Sequence, residues 1–410
     1  MTHMAATTTN PNRRESSRNW AWILVPLSTA LVLAAYWDRT YRQRIDFNIY
    51  FEAVRFGNHH SIYDYYNGEF PLLGFTYPPF AAIVIRPLSL LDQSVAEHLW
   101  LVLGLALSAL FLCIVIPRLD WPPRWRAIGV PLSVAAGMWT IPVTLTASIG
   151  QINAIIAVAI AVDAVLLKRN SRWTGLGIGF AAAMKLTPGI LIPFLLLAGR
   201  RREAAIATGS FGVFTLLGAV VHPQDSWRFW TKELWATDRV GPFGSALNNS
   251  IRRVVTFTHF SDRIQMLMWL ALVVIVIAIG TKRALDAYRV GNVMMAVTLM
   301  MLVSYLVSPI TWAHHLYFLI PAAIAWLITA PRLIAIITAV PLAWPLVDPM
   351  RSAMGPPRLI SLLLLLVLLP TGRRYRDPDE QPDEQPDQAP DHENRVESSD
   401  ASVADATLPS

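Results

Sequence analysis

Long apolar segments recur along most of the chain, and short polar stretches separate them. Because about 20 apolar residues in a helix cross the hydrocarbon core of a bilayer, this pattern predicts an all-α polytopic membrane protein with about twelve transmembrane helices. The predicted spans are 19–36, 96–117, 128–148, 152–167, 173–186, 188–199, 203–221, 264–280, 291–308, 314–329, 332–347 and 358–369. Several are short, so they must tilt, break or extend into their flanks.

The stretch between the first two spans, residues 37–75, has a different pattern. Its apolar positions with helical spacing are Phe47, Tyr50, Phe51 and Val54, whereas Asn48, Glu52 and Arg55 take the other side. The pattern predicts a short amphipathic helix that lies on the membrane surface and ends at Gly57. Residues 76–91 are apolar but short and contain Pro87, so we interpret them as a re-entrant or interfacial hairpin, with a true span as the alternative.

Composition supports the membrane assignment: 54% of the residues are hydrophobic, only 15% are charged, and the mean hydropathy is +0.42. A soluble domain has about 25% charged residues. The net charge of +6 is unevenly distributed, because the segment from Asp377 to the end carries −10 and the remainder +16. We assign this basic excess to cytoplasmic loops and not to nucleic-acid binding, which would need a basic face on a soluble domain.

The basic clusters also predict the orientation, since cytoplasmic loops are enriched in Lys and Arg. The clusters are Arg118, Arg124 and Arg126; Lys168, Arg169 and Arg172; Arg200, Arg201 and Arg202; Lys282, Arg283 and Arg289; and Arg373, Arg374 and Arg376. With twelve spans and a cytoplasmic N-terminus, all five fall on the cytoplasmic side. The prediction is a transmembrane domain at 19–371 in the cell membrane, between a disordered cytoplasmic N-terminus (1–18) and a disordered acidic cytoplasmic tail (372–410), with outer loops at 37–75 and 222–262.

Polar features from separate parts of the chain then converge on the outer face. They are the loop with Asp46, His59 and His60; Gly150–Asn153; Lys185–Pro188; Asn248–Ser250; and Ser308–His315. Polar groups and non-helical backbone near membrane depth are costly and usually mark a functional cavity.

Each feature also has a simpler interpretation. Asp46 could be a surface charge, although its apolar neighbours favour a raised pKa that suits proton transfer. Lys185 could reach to the interface or hold a phosphate, and the pair His314–His315 could be interfacial. Gln151 and Asn153 could cap helix ends. We find no metal-binding spacing and no nucleotide-binding loop, so no metal or cofactor is expected.

The ordered motifs FTYPPFAAIVIRPLSLL, GQIN, KLTP and SPITWAHHLY, which follow an acidic residue just after the first span, resemble the family 87 glycosyltransferases. These are membrane enzymes of the GT-C class, and they include actinobacterial polyprenyl-phosphate-mannose-dependent α-1,2-mannosyltransferases that act on phosphatidylinositol mannosides and lipoglycans. The resemblance covers most of residues 20–330.

The resemblance implies an inverting transfer of β-linked mannose from a polyprenyl-phosphate donor to a lipid-linked glycan at the outer face, with Asp46 as the general base. Lys185, His314 and His315 are the candidates for binding the donor phosphate. Candidates for binding sugar are His59, Tyr77, Gln151, Asn153 and Asn248.

Two alternatives remain. One is an arabinofuranosyltransferase, or another transferase that uses a polyprenyl-phosphate sugar. The other is a lipid-linked sugar flippase or transporter, which the absence of internal repeats and the clustering of polar groups at one face disfavour.

Overall fold

The computed structural model describes residues 20–38, 44–68, 73–335 and 355–371. Within these ranges the chain is helical, and its only strand-like feature is an isolated bridge between Tyr66 and Gly74, which confirms the all-α prediction. The predicted disordered segments 1–18 and 372–410 lie outside the described residues, as does most of the predicted span 332–347.

The helices follow the predicted apolar segments closely. The first eight are α1 (Leu24–Trp37), α2 (Ile45–Phe56), α3 (Pro79–Ile85), α4 (Gln93–Val115), α5 (Pro123–Gly137), α6 (Ile141–Ile149), α7 (Asn153–Lys168) and α8 (Leu176–Met184). They are followed by α9 (Leu191–Leu197), α10 (Arg201–Val221), α11 (Pro223–Arg228), α12 (Ile251–Thr256), α13 (Asp262–Arg289), α14 (Val293–Val307), α15 (Leu319–Thr329) and α16 (Gly355–Leu368).

Five helical stretches of the described residues are long and apolar enough to cross a membrane: Trp20–Trp37, Gln93–Arg118, Pro123–Ile149, Arg201–Val221 and Asp262–Arg289. Helix α13 leaves much of its apolar surface exposed, including Leu267, Leu270 and Val274. Contiguous apolar surface of this kind is stable against lipid tails and unfavourable in water. The chain is therefore a membrane protein, while the count of twelve spans stays a prediction.

Helices α7 and α14 form the centre of the bundle. Helix α14 buries every residue from Val293 to Leu306 and packs against α7, α13, α15 and α16. Helices α8 and α10 approach closely where Gly179 faces Ser210, because a side chain on Gly179 would overlap the serine hydroxyl. Small residues at a crossing are typical of helices that pack within a bilayer.

The predicted amphipathic helix is present as α2 and ends before Gly57, as the sequence indicates. The prediction that Asn48 lies on the polar side of this helix is wrong, because Asn48 is only 7% exposed. Its Oδ1 accepts a hydrogen bond from Gln93 Nε2 at 3.2 Å. Helix α2 is covered by α3, α6 and the 3₁₀ turn Arg86–Leu90. Seven of its twelve residues are buried, so α2 packs largely as part of the protein interior, while Arg55 stays exposed.

Helix α3 has seven residues and continues into the 3₁₀ turn Arg86–Leu90, which contains Pro87. Seven residues span roughly 10 Å, about a third of a bilayer core. This length agrees with a hairpin or interfacial element, and α3 packs against α2, α8 and α10.

Candidate active site

One large cavity of about 770 Å³ opens where α2 and the segment that leads to α3 meet the ends of α6, α7, α8 and α14. Seven of the nine predicted site residues line it: Asp46, Tyr77, Gln151, Asn153, Lys185, His314 and His315. These residues come from distant parts of the chain, and each lies at a helix end or in a break between helices. The predicted convergence of these polar features is therefore present in the fold.

Asp46 lies in the first turn of α2 with one side facing the cavity. Loss of solvent around the carboxyl raises its pKa from 3.8 to about 6, and this effect outweighs the hydrogen bond from Gln151 and the positive charge of Lys185, which both lower the pKa. A carboxylate with a pKa near 6 is ionised at neutral pH and still basic enough to take a proton from a hydroxyl in a transition state.

A short chain of hydrogen bonds orients Gln151, the residue that bonds to Asp46. The Tyr50 hydroxyl donates to the Tyr77 hydroxyl at 3.2 Å, and the Tyr77 hydroxyl donates to Gln151 Oε1 at 2.9 Å. Because Oε1 already accepts from Tyr77, the amide NH₂ of Gln151 is the group that bonds to Asp46. Tyr77 and Gln151 therefore hold the carboxylate in place.

The backbone between α6 and α7 permits this arrangement at Gly150. Gly150 has φ +76°, and a Cβ at this position would overlap Phe47, the neighbour of Asp46. Its carbonyl accepts a hydrogen bond from Trp100 Nε1 at 2.8 Å. Only glycine allows both the left-handed conformation and the close approach, so the turn before Gln151 fits against the helix that carries Asp46.

Lys185 enters the cavity from the break that ends α8. Its ammonium lies 3.4 Å from Asn153 Oδ1 and 5.4 Å from the centre of the Tyr77 ring. The Asn153 Nδ2 is buried without a hydrogen-bond partner. A buried polar donor that faces a cavity without a partner is well placed to bind a ligand oxygen.

The histidine pair lies in the 3₁₀ turn Ala313–His315 before α15. The His315 Nδ1 accepts the backbone N–H of Trp312 at 3.2 Å, so a neutral His315 carries its proton on Nε2. The His314 Nε2 is buried without a partner, and the two rings meet edge to face with 4.5 Å between their centres. Lys185 lies close enough to interact electrostatically with both imidazoles. The three side chains together supply hydrogen-bond donors to the cavity.

The two other predicted sugar-binding residues lie away from the cavity lining. His59 is exposed at the turn after α2. Asn248 is fully buried and bonds to backbone instead: its Nδ2 donates to Phe243 O and Pro309 O, and its Oδ1 accepts from Ser250 N and Thr311 N. Asn248 thus holds in place the segment that leads to the histidines.

Three charged residues that the sequence reasoning did not single out also line the cavity: Glu233, Arg239 and Arg358. Glu233 accepts hydrogen bonds from Arg239 and, at 2.7 Å, from Arg228. Arg239 donates to the Tyr63 carbonyl at 3.1 Å, and Arg228 pairs with Asp64 at 2.6 Å. This cluster fastens the segment after α11 to the segment between α2 and α3.

The cavity has a long apolar wall. Ile156, Ala157 and Ile160 line it from α7, and Met301 lines it from α14, whose Ser304 and C-terminal neighbour Ser308 also face the cavity. Ser308 is seven positions after Met301, so the cavity extends roughly 10 Å along the helix direction. It therefore combines a polar chamber with an apolar extension between helices. Among the described residues, no group of His, Cys, Asp and Glu is placed to hold a metal ion.

Comparison with known proteins adds a family. Residues 75–309 match the model of glycosyltransferase family 87. One curated relative is the polyprenol-phosphate-mannose-dependent α-(1-2)-phosphatidylinositol mannoside mannosyltransferase of Mycobacterium tuberculosis, 33% identical over 62% of this chain and 61% of the relative. Another is the corresponding phosphatidylinositol pentamannoside mannosyltransferase of Mycolicibacterium smegmatis, 33% identical over 66% of each. No solved structure matches the chain significantly.

The aligned region spans less than two thirds of the length of these two relatives. A third, a phosphatidylinositol pentamannoside mannosyltransferase of M. tuberculosis, is 30% identical over 79% of this chain and 75% of its own length. The family match covers Tyr77, Gln151, Asn153 and Lys185, whereas the histidine pair lies just after its end and Asp46 lies 29 positions before its start. More than half of the chain matches the family model, and the chain belongs to glycosyltransferase family 87.

Proposed function

We propose that the protein is an inverting α-mannosyltransferase that moves mannose from a polyprenyl-phosphate donor to a lipid-anchored mannoside. The observation that carries this proposal is the placement of Asp46, held by Gln151, in a cavity that Lys185 and the histidine pair also line. A base on one side and phosphate-binding groups on the other are what an inverting displacement requires.

The reaction is a single displacement at the anomeric carbon. A hydroxyl oxygen of the acceptor mannose forms the new bond to C1, and its proton passes to the Asp46 carboxylate. The bond between C1 and the phosphate oxygen breaks, and its electron pair leaves with the polyprenyl phosphate. Attack from the face opposite to the phosphate converts a β-linked donor into an α-linked product, and Asp46 then releases the proton to water.

Lys185 and the two histidines would meet the phosphate, on which negative charge increases as it leaves. Lys185 supplies a point charge, His315 can donate from Nε2, and His314 Nε2 has no partner within the protein. Asn153 Nδ2 and Tyr77 are placed for contact with sugar hydroxyls. Preformed donors of this kind stabilise developing charge without reorganisation.

The apolar wall accounts for the lipid part of the donor. The side chains of Ile156, Ala157 and Ile160 offer no hydrogen bonds and fit the first isoprene units of a polyprenyl chain. Since such donors are confined to the membrane, the cavity must be open to lipid at the level of the helix ends.

We place this site on the outer face of the cell membrane, with both chain ends in the cytoplasm and twelve spans. The five basic clusters support this orientation, because they then all face the cytoplasm. The outer loop at 37–75 carries the base, and the loop at 222–262 closes the cavity from the other side. The segments 1–18 and 372–410 would lie on the cytoplasmic side as solvated chain ends.

The decisive experiment is transfer by the purified full-length protein in detergent, with labelled polyprenyl-phosphate mannose and a phosphatidylinositol mannoside acceptor. We expect a product heavier by one hexose whose new linkage an α-1,2-specific mannosidase removes. Transfer only from the arabinose donor would reassign the sugar. No transfer from any donor, together with movement of the donor across the bilayer of a proteoliposome, would establish a flippase instead.

A further inference from the structure

Arg253, in helix α12, is a buried cation without a charged partner among the residues that the structure describes. The residue is 8% exposed, and its Nε has no hydrogen-bond partner. Its guanidinium lies 5.2 Å from the centre of the Phe257 ring. Burial lowers the pKa of Arg253, and no described carboxylate offsets this effect. Because arginine keeps its charge in proteins and an unpaired buried charge is costly, a bound anion would stabilise this position.

The adjacent Arg252 shows how an arginine of the same helix can be satisfied within the protein. It is 7% exposed, but its Nη1 donates to the Gln265 carbonyl at 3.3 Å, and the negative charge of Asp262 stabilises its guanidinium. Two aromatic rings also pack against it. Helix α12 therefore has internal partners for one of its two arginines, and the contact described for the guanidinium of Arg253 is a single aromatic ring.

Helix α12 lies at the rim of the cavity. A three-residue turn joins α13 to α14, and the two helices pack side by side, so they are antiparallel and α13 begins on the side of the bundle toward which α14 ends. Helix α12 precedes α13 and contacts both helices. Ser250, the residue before α12, donates from its Oγ to the carbonyl of Pro309 at 2.9 Å, and Pro309 lines the cavity. Arg253 thus lies three positions from a contact with the cavity wall.

The chain that follows Arg253 exposes apolar side chains. They belong to α12, to the turn after it and to the first turns of α13: Val254, Phe257, Phe260, Ile264 and Leu267. A free phosphate ion gains nothing from such a surface, whereas a phospholipid places its phosphate against a cation and its acyl chains against apolar groups. The observations therefore favour the phosphate of a lipid.

The proposed reaction has two lipid substrates, and each carries a phosphate. The donor phosphate is assigned to Lys185 and the histidine pair within the cavity. The phosphodiester of a phosphatidylinositol-anchored acceptor lies at the other end of the acceptor from the mannose that reacts, at the level of the lipid headgroups. A cation at the rim of the cavity is placed to meet this phosphate while the terminal mannose reaches Asp46.

We propose that Arg253 binds the phosphodiester of a phosphatidylinositol-anchored acceptor at the rim of the cavity. This inference rests on the proposed function, because it takes the class of acceptor from it. A guanidinium can bind two phosphate oxygens at once. The phosphodiester keeps its charge throughout the transfer, so the contact contributes equally to the bound acceptor and to the transition state. It should therefore lower KM for the acceptor and leave kcat unchanged.

The test measures transfer in detergent by Arg253→Gln, Arg253→Lys and the controls Arg252→Gln and Arg263→Gln. For Arg253→Gln we expect KM for a phosphatidylinositol mannoside to rise by roughly tenfold to a hundredfold, as for the loss of a charged hydrogen bond, with kcat and KM for the donor unchanged. Arg253→Lys should show a smaller rise, because an ammonium binds phosphate as a point charge. Arg263 is an exposed charge in the first turn of α13 and controls for general attraction of anionic lipid. Both control variants should keep the wild-type kinetics.

An uncharged acceptor separates phosphate binding from other effects of the substitution. Octyl α-mannoside has an apolar anchor but no phosphate, so the wild type and Arg253→Gln should use it with equal kcat/KM. Melting curves give a measurement that does not need turnover. A phosphatidylinositol mannoside should raise the melting temperature of the wild type more than that of Arg253→Gln, whereas octyl α-mannoside should not distinguish them. If Arg253→Gln does not fold, Arg253→Lys decides alone.

The outcomes separate this inference from the proposed function. A wild-type KM for the acceptor and a wild-type thermal shift in the folded Arg253 variants, or an equal loss with octyl α-mannoside, would overturn the role of Arg253 and leave the proposed function intact. A wild-type protein that transfers no mannose would contradict the proposed function itself, and the melting curves would still show whether Arg253 binds the phosphate.

Discussion

Asp46 and Asp163 are both shielded carboxylates in a membrane protein, yet their surroundings differ. Asp46 has one side on the cavity and a single side-chain donor, Gln151. Asp163 lies within α7, is 1% exposed, and accepts the backbone N–H groups of Gly175 at 3.0 Å and Ile178 at 2.7 Å. It thereby caps the N-terminus of α8, where the helix dipole favours negative charge.

The difference shows that burial alone does not identify a catalytic carboxylate. The donors of Asp163 are fixed backbone groups, and it does not line the cavity, so it has no route to a substrate proton. Asp46 keeps an accessible oxygen and only as many hydrogen bonds as its orientation needs. One carboxylate is therefore placed for chemistry and the other for the packing of two helices.

The largest expected effect is that of Asp46→Asn. The amide keeps the size of the side chain but cannot accept a proton, so transfer should fall by roughly 10²–10⁴. Affinity for donor and acceptor should change little, because the lost interaction matters mainly in the transition state. Single-turnover rates in detergent measure transfer and affinity, and a melting curve shows whether the variant is folded. A folded variant with wild-type transfer would remove Asp46 from the mechanism.

The pH dependence of transfer tests the same carboxylate without a mutation. Because the pKa of Asp46 is raised to about 6, the base is ionised above pH 6 and protonated below it. We expect kcat/KM to be near its plateau at pH 7 and about tenfold lower at pH 5. Asp163→Asn should keep this profile. A profile that is flat between pH 5 and 7 would contradict the assignment.

A smaller effect is expected for Tyr77→Phe. The hydroxyl of Tyr77 fixes the orientation of the Gln151 amide, and its loss should cost about 0.5–1.5 kcal/mol, or roughly twofold to tenfold in transfer. The residual rate should keep its dependence on Asp46, which the double variant with Asp46→Asn measures. If Tyr77→Phe were as slow as Asp46→Asn, Tyr77 would have a direct role in proton transfer.

The smallest effect on transfer is expected for Asp163→Asn, which should therefore contrast most with Asp46→Asn. Loss of the negative charge at the start of α8 should destabilise the protein by about 1–2 kcal/mol. The transfer rate per folded molecule should remain within about twofold of wild type, because Asp163 does not line the cavity. A normal melting temperature with impaired transfer would reverse the comparison of the two aspartates.

The apolar periodicity predicted the helices well, since α2 with its end at Gly57 and α7 lie where the sequence indicates, although the predicted span 128–148 is divided into α5 and α6. It also brought Asp46, Gln151 and Lys185 to the same side of the bundle. These predictions succeed because apolar spacing acts along the chain and does not depend on knowledge of tertiary contacts.

The side-chain partners could not be predicted in the same way. The side-chain amide of Asn248 is of the kind that binds sugar hydroxyls, but its hydrogen bonds go to backbone groups. One of these groups is the N–H of Thr311, 63 positions away in the sequence. Arg358 stands at the start of an apolar run, and only the packing of α16 brings it to the cavity. Whether a polar group faces a ligand or the backbone is decided by tertiary contacts.

The fit of Gly150 against Phe47 has a consequence for biosynthesis. The helix that carries Asp46 is made first, yet its contact at Phe47 with the turn at Gly150 can form only when that turn has emerged, about 100 residues later. The histidines follow after about 270 residues, which at 5–20 residues per second is roughly 15–50 seconds of translation. During that interval the part of α2 that faces the cavity lacks its final neighbours and must be shielded by lipid or by the insertion machinery.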